Sequence, residues 1–119
     1  MNDANFRPPE VLQVTNLLSD LPNSTHHEAF ETLLTNNSFR LERIVSHGQR
    51  SPDGFWYDQE QDEWVLVLRG AARLRIEGEL TDRELNAGDH VHLRAHQKHR
   101  VEWTDPCQPT IWLALHFKN

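Results

Sequence analysis

The chain has 119 residues and a mass of 13.9 kDa, enough for one buried core and leaving no room for a second catalytic domain. Hydrophobic residues make up 37 % of it, and twelve Lys and Arg against eighteen Asp and Glu give a formal charge of −6, which repels phosphate backbones and anionic membranes and argues against nucleic acid as a partner. A single cysteine, Cys107, excludes an intramolecular disulfide and a Cys-rich zinc framework. Residues 1–10 are polar, lack the apolar core of a signal peptide and read as a loose N-terminal segment ahead of one domain over 11–119. No stretch approaches the ~20 apolar residues of a membrane span, so a cytoplasmic protein with no membrane partner is expected.

In chain order, the apolar run Val11–Leu18 reads as a strand and Ser19–Asn23 as a turn. Thr25–Leu34 predicts a short helix: Thr25 is an N-cap, Glu28 stands at its capping-box position, and Ala29, Phe30, Leu33 and Leu34 share a face. Thr35–Ser38 breaks it. Seven short strands bounded by turn residues follow: Phe39–Val45, Trp64–Leu68, Arg73–Glu77, Arg83–Leu85, Val91–Leu93, Arg100–Thr104 and Thr110–Phe117. Their number and spacing predict an all-β sandwich or barrel. Leu74 and Ile76 alternate with charges and face a core, whereas Trp64–Leu68 is apolar on both faces, as a central strand is.

Two blocks at fixed offsets carry the chemistry. Glu63 lies seven positions before Gly70, and Gly88 is followed eleven positions later by His99. These blocks resemble the two motifs of the cupin superfamily, small jelly-roll barrels whose motifs flank a metal-centred pocket. Residues 51–64, 95–104 and 110–114 look like a small bacterial cupin subgroup of unassigned biochemical role. The resemblance implies a small cupin jelly-roll β-barrel, with the N-terminal strand and one short helix outside. In that pattern a His-x-His pair precedes the glutamate; here its positions fall on Trp56 and Asp58 with four intervening residues, or on Tyr57 and Gln59 with three.

By this resemblance Asp58, Glu63 and His99 form an oxygen, oxygen, nitrogen ligand set suited to manganese, iron or zinc rather than copper or nickel. No organic cofactor is implied. Glu63, at the mouth of an apolar strand, needs a partner if buried. His99 shares an alternating face with Val101 and Trp103, which directs all three inward. Tyr57 and Gln59 compete with Asp58 for the pocket; His96 stands three residues before His99 and either joins or gates the site. Arg43, inside an apolar strand, pairs with a carboxylate or binds an anionic substrate. His90 and His92 alternate with Val91 and Leu93 and are expected in solvent.

Two functions follow as expectations: a metal-dependent enzyme of dioxygenase, isomerase or lyase type acting on a small molecule, or a non-catalytic small-molecule binder or sensor with a degenerate metal site. The strand Val11–Leu18 has few sequence neighbours to cover it, so it is expected to pair with an edge of a second subunit in a homodimer.

Overall fold

The computed structural model describes residues 11–23 and 26–119. The segment 1–10 and the proposed helix cap Thr25 lie outside the described residues. Among the described residues, eight strands occur in chain order: β1 Ala29–Thr35, β2 Phe39–Ser46, β3 Asp62–Arg69, β4 Ala71–Ile76, β5 Arg83–Asn86, β6 His90–Leu93, β7 His99–Thr104 and β8 Thr110–Phe117. The seven strands expected from Phe39 onward all form, with ends displaced by at most two residues. Two sheets carry them, one of five strands in the order β1-β2-β8-β3-β6 and one of three in the order β5-β4-β7. They contribute to one apolar cluster, in which Ile44, Val65, Val67 and Trp112 of the larger sheet meet Leu74, Ile76, Leu85 and Val101 of the smaller. The two sheets remain separate ladders and do not close into one continuous barrel.

The helix expected over Thr25–Leu34 is corrected: no helix occurs among the described residues, and this stretch supplies β1. Its apolar spacing suits a helix, but the segment pairs antiparallel with β2 from Ala29 opposite Val45 to Thr35 opposite Arg40. The asparagine taken as a helix breaker builds the hairpin instead. Asn36 Oδ1 accepts hydrogen bonds from the backbone N–H groups of Ser38 and Phe39, at 2.8 and 3.0 Å, an Asx turn that reverses the chain. Ladder bonds across the whole segment outweigh a local helical preference of a few tenths of a kcal/mol per residue.

The strand expected at Val11–Leu18 is also corrected, since no strand forms there. Val11, Leu12 and Val14 are almost wholly exposed, and the chain first meets the sheet at a turn beginning at Leu17. Arg43 anchors that turn by donating to the carbonyls of Leu17 and Ser19 at 3.0 and 2.8 Å, and it pairs with Glu31 across the β1–β2 ladder at 2.8 Å. Arg43 is therefore a buried structural clasp on the face of β2 opposite Ile44, not a pocket residue.

Candidate functional site

Alternation along four strands builds the site. On β3, Glu63 and Val65 point the same way; on β8, Trp112 and His116 do so; on β2, Glu42 and Ile44; and on β7, His99 and Val101. Their side chains line a cavity of about 570 Å³, which Phe30 and Thr32 of β1 border on one side. Leu74 of β4, Leu93 of β6 and Glu28 also line it, and the segment 47–61 adds Tyr57 and Gln59. Tyr57 and His99 form an isolated antiparallel bridge, Tyr57 N–H donating to the His99 carbonyl at 2.7 Å and His99 N–H to the Tyr57 carbonyl at 3.2 Å. This bridge sets the register that the sequence left open. Tyr57 and Gln59 line the cavity, and Asp58 between them turns outward.

Glu63 and His99, 36 positions apart in the chain, meet inside the cavity with Oε1 and Nε2 3.2 Å apart, both side chains buried. His99 Nδ1 lies 2.9 Å from the Gln97 carbonyl oxygen. A carbonyl only accepts, so Nδ1 carries a proton. Burial opposes a charge on this ring, but the hydrogen bonds to Glu63 and Gln97 and the field of the Glu63 carboxylate outweigh it. The His99 pKa consequently lies above its ordinary value. Tyr57 stacks on the imidazole with ring centres 5.3 Å apart. Burial, followed by the carboxylates of Glu28, Glu63 and Glu42, pushes its phenol up to about 12, so it remains a hydroxyl donor.

The polar chain continues through His116. Its Nε2 is 2.9 Å from Glu42 Oε1 and 3.6 Å from Glu63 Oε2, while Nδ1 is 3.1 Å from Gln59 Oε1. Two imidazoles thus alternate with two carboxylates at one end of a largely apolar cavity, where hydrogen bonds and charge pairing act with little water to weaken them. A second chain runs from the buried Trp112 indole, which donates to Ser46 Oγ at 3.1 Å, to Glu28 Oε2, which accepts from that hydroxyl at 2.5 Å.

The other sequence-predicted residues lie elsewhere. Asp58 accepts from exposed His96 at 2.8 Å outside the cavity, so neither residue joins Glu63 and His99. Trp103 is turned away by an irregularity in the β4–β7 pairing between Arg73 and Leu74. It sits under the Arg73 guanidinium, 4.8 Å from ring centre to carbon, instead of facing inward with Val101. His92 is exposed as expected, yet it bonds the buried carboxylate of Asp62 at 2.7 Å. Sequence reasoning missed His116, Glu42 and Glu28. His116 shares its strand face with Trp112 and Ala114, and Glu42 shares one with Ile44, so the alternation already used for Leu74 and Ile76 identifies both.

The ligand set Asp58, Glu63 and His99 is not assembled, because Asp58 faces out. Among the described residues, no group of three or more His, Cys, Asp or Glu side chains is placed to hold a metal ion. Glu63 and His99 engage each other, and the donor beside them is a phenol held protonated. As they stand, these residues do not form a metal cage.

The family model for the cupin domain matches residues 42–116. Among solved structures, a protein of Ralstonia eutropha JMP134, named provisionally as a mannose-6-phosphate isomerase, is 45 % identical with a TM-score of 0.87, over 91 % of this chain and 100 % of that one. A cupin superfamily protein from Desulfitobacterium hafniense DCB-2 has a TM-score of 0.72 at 13 % identity, covering 93 % of this chain and 94 % of its own. An RmlC-like cupin from Desulfovibrio desulfuricans reaches the same TM-score at 16 % identity, over 89 % and 96 %; these last two show the fold alone. No curated protein matches the chain. With the family match spanning β2 to β8 and with the motif residues Glu63 and His99 meeting in the cavity, the chain belongs to the cupin family.

Proposed function

We propose that this cupin binds a small organic molecule in its cavity and exchanges a proton with it through the Glu63–His99 pair. The observation that carries this reading is the 3.2 Å contact between a buried carboxylate and a buried imidazole in a cavity that also has an apolar wall. A histidine with its pKa raised and a carboxylate within hydrogen-bond reach are equipped to donate and to accept a proton near neutral pH. The name given to the Ralstonia protein, an isomerase, belongs to a class whose chemistry is proton transfer between neighbouring carbons, and it supports the catalytic form of the reading. The same cavity without turnover is the binder or sensor form. A thermal-shift screen of small oxygenated and nitrogenous compounds tests the proposal. Ligands that raise the melting temperature of the wild type and lose that effect in both H99A and E63Q support it, and hits unaffected by either change defeat it.

Divalent metal binding is the second reading, favoured by the tautomer of His99. With Nδ1 held by the Gln97 carbonyl, Nε2 is presented inward, the orientation that backbone partners impose on metal-ligating histidines. Manganese, iron or zinc co-purifying near one equivalent, and lost in H99A that still folds, supports it. A folded protein with no affinity for those ions returns the reading to the proton-transfer pair. The proposal also includes a homodimer and a cytoplasmic setting, in keeping with the lone exposed thiol of Cys107.

A further inference from the structure

Glu28 is the cavity carboxylate that the His99–Glu63–His116–Glu42 chain leaves aside. Glu42 and Glu63 each face an imidazole, whereas the hydrogen-bond partner of Glu28 is the Ser46 hydroxyl. The polarity of that contact is fixed from the core outward. An indole N–H can only donate, so Ser46 Oγ accepts from Trp112 and turns its own proton toward Glu28. Ser46 is fully buried and Trp112 nearly so, which holds Glu28 in one orientation as an acceptor.

Charge around the cavity is lopsided. Three carboxylates, Glu28, Glu42 and Glu63, line it, against one permanently charged cation, Arg40, whose side chain is half exposed and stands 3.7 Å from Glu42. With each histidine matched to a carboxylate, Glu28 retains an acidic group with no cationic side chain beside it among the described residues. Burial raises its pKa, the cost of holding a carboxylate here without a counter-charge. Beside it the wall is apolar and aromatic, with Ile44, Trp112 and Phe30.

The geometry points to a protonated amine on a compact apolar body as the ligand class of this cavity, with its ammonium group on Glu28 and its body against Trp112 and Ile44. This rests on the cavity being a small-molecule site, as proposed above. An ammonium supplies the missing counter-charge through charge-assisted hydrogen bonds, and the aromatic faces attract it further. A sugar phosphate would bring a dianion among three carboxylates, where Arg40 is the one permanent cation and His99 is already engaged by Glu63.

Calorimetric titration of the full chain with 2-phenylethylamine, 2-phenylethanol, phenylacetate and mannose 6-phosphate tests the assignment, because the first three share one body and differ in the charge of its end. The amine is expected to bind about tenfold or more tightly than the alcohol, with the two anions weaker still. In E28Q the amine should lose that advantage while the alcohol keeps its affinity within about threefold. An anion binding as tightly as the amine, or an amine preference that survives E28Q, overturns the assignment and leaves the cavity reading intact. Failure of all four compounds to bind at millimolar concentration overturns both. Should E28Q not fold by circular dichroism, the ranking in the wild type decides alone.

Discussion

His99 has acceptors at both ring nitrogens, the Gln97 carbonyl and the Glu63 carboxylate. Its folded pKa lies above the ordinary 6.5, so its contribution to stability is full below about pH 6.5 and is lost as pH rises through the folded value. Asp62 acts with the opposite sign. The Ala95 N–H first, and then His92 and Asn119, hold its carboxyl below 3.8, so its contribution is present above that value and disappears as acid protonates it. Urea denaturation across pH should therefore give a stability maximum between the two limits, and E63Q should remove the alkaline-side slope. Burial is the largest single influence on His99 and opposes its charge. In E63Q that influence prevails, and the His99 pKa, followed by NMR, should fall below 6.5; a value that stays raised would show that Glu63 is not what holds the proton. The pairing of Glu63 with His99 was legible in the sequence because motif offsets fix which strand positions face inward. His116 and Glu42 obey the same alternation but belong to no motif, and Glu28 lay hidden under a helical spacing.

At the level of elements, the segment before β3 owes its shape to Arg100. This buried guanidinium donates to the carbonyls of Ser51, Pro52 and Phe55 at 3.1, 2.9 and 3.0 Å, and to Glu102 at 2.5 Å. Replacing it with methionine takes the side-chain donor from the Ser51 and Phe55 carbonyls and leaves Pro52 with the Phe55 N–H alone. R100M should cost about 3 kcal/mol in urea denaturation and speed hydrogen exchange over residues 51–59, weakening any ligand that leans on Tyr57. Gly70 makes the β3–β4 turn with φ of +87°, and a Cβ there would lie 2.5 Å from Thr110 Oγ1 and 2.7 Å from the Pro109 carbonyl oxygen. The G70A variant combines left-handed strain with a backbone clash and should lose at least about 2 kcal/mol in the same measurement. Period-two alternation and turn residues announced the strands from β2 to β8. β1 escaped because Ala29, Phe30, Leu33 and Leu34 fit a helical period, and only long-range pairing with β2 decides between the two. The register at Tyr57 escaped for a related reason: one intervening residue flips every side chain in the loop, and the deciding bridge comes from His99, 42 positions away.

At the scale of the whole molecule, most of the large exposed apolar side chains among the described residues lie on 11–18 and on β1, with Phe55 and Leu80 apart from them. Val11, Leu12 and Val14 are 87, 92 and 99 % exposed, and Phe30 and Leu34 on the outer strand of the larger sheet are 57 and 60 % exposed. An unpaired edge bearing apolar side chains is a template for another chain, and the exposed N-terminal segment offers matching side chains. Light scattering after size exclusion should therefore give twice the 13.9 kDa chain mass, and a variant carrying both L12D and V14D should elute at half that. A wild-type protein that stays monomeric at high micromolar concentration would remove the dimer from the proposal.

The reciprocal backbone bonds between Tyr57 and His99 make one wall of the chamber stiff, because neither residue can swing aside without dragging β7. β1, which lends Phe30 and Thr32 to the cavity border, is an outermost strand among the described residues and is tied to the sheet through β2 alone. A guest in the chamber therefore rests against a wall cross-braced at Tyr57 and His99 and against a border strand braced once.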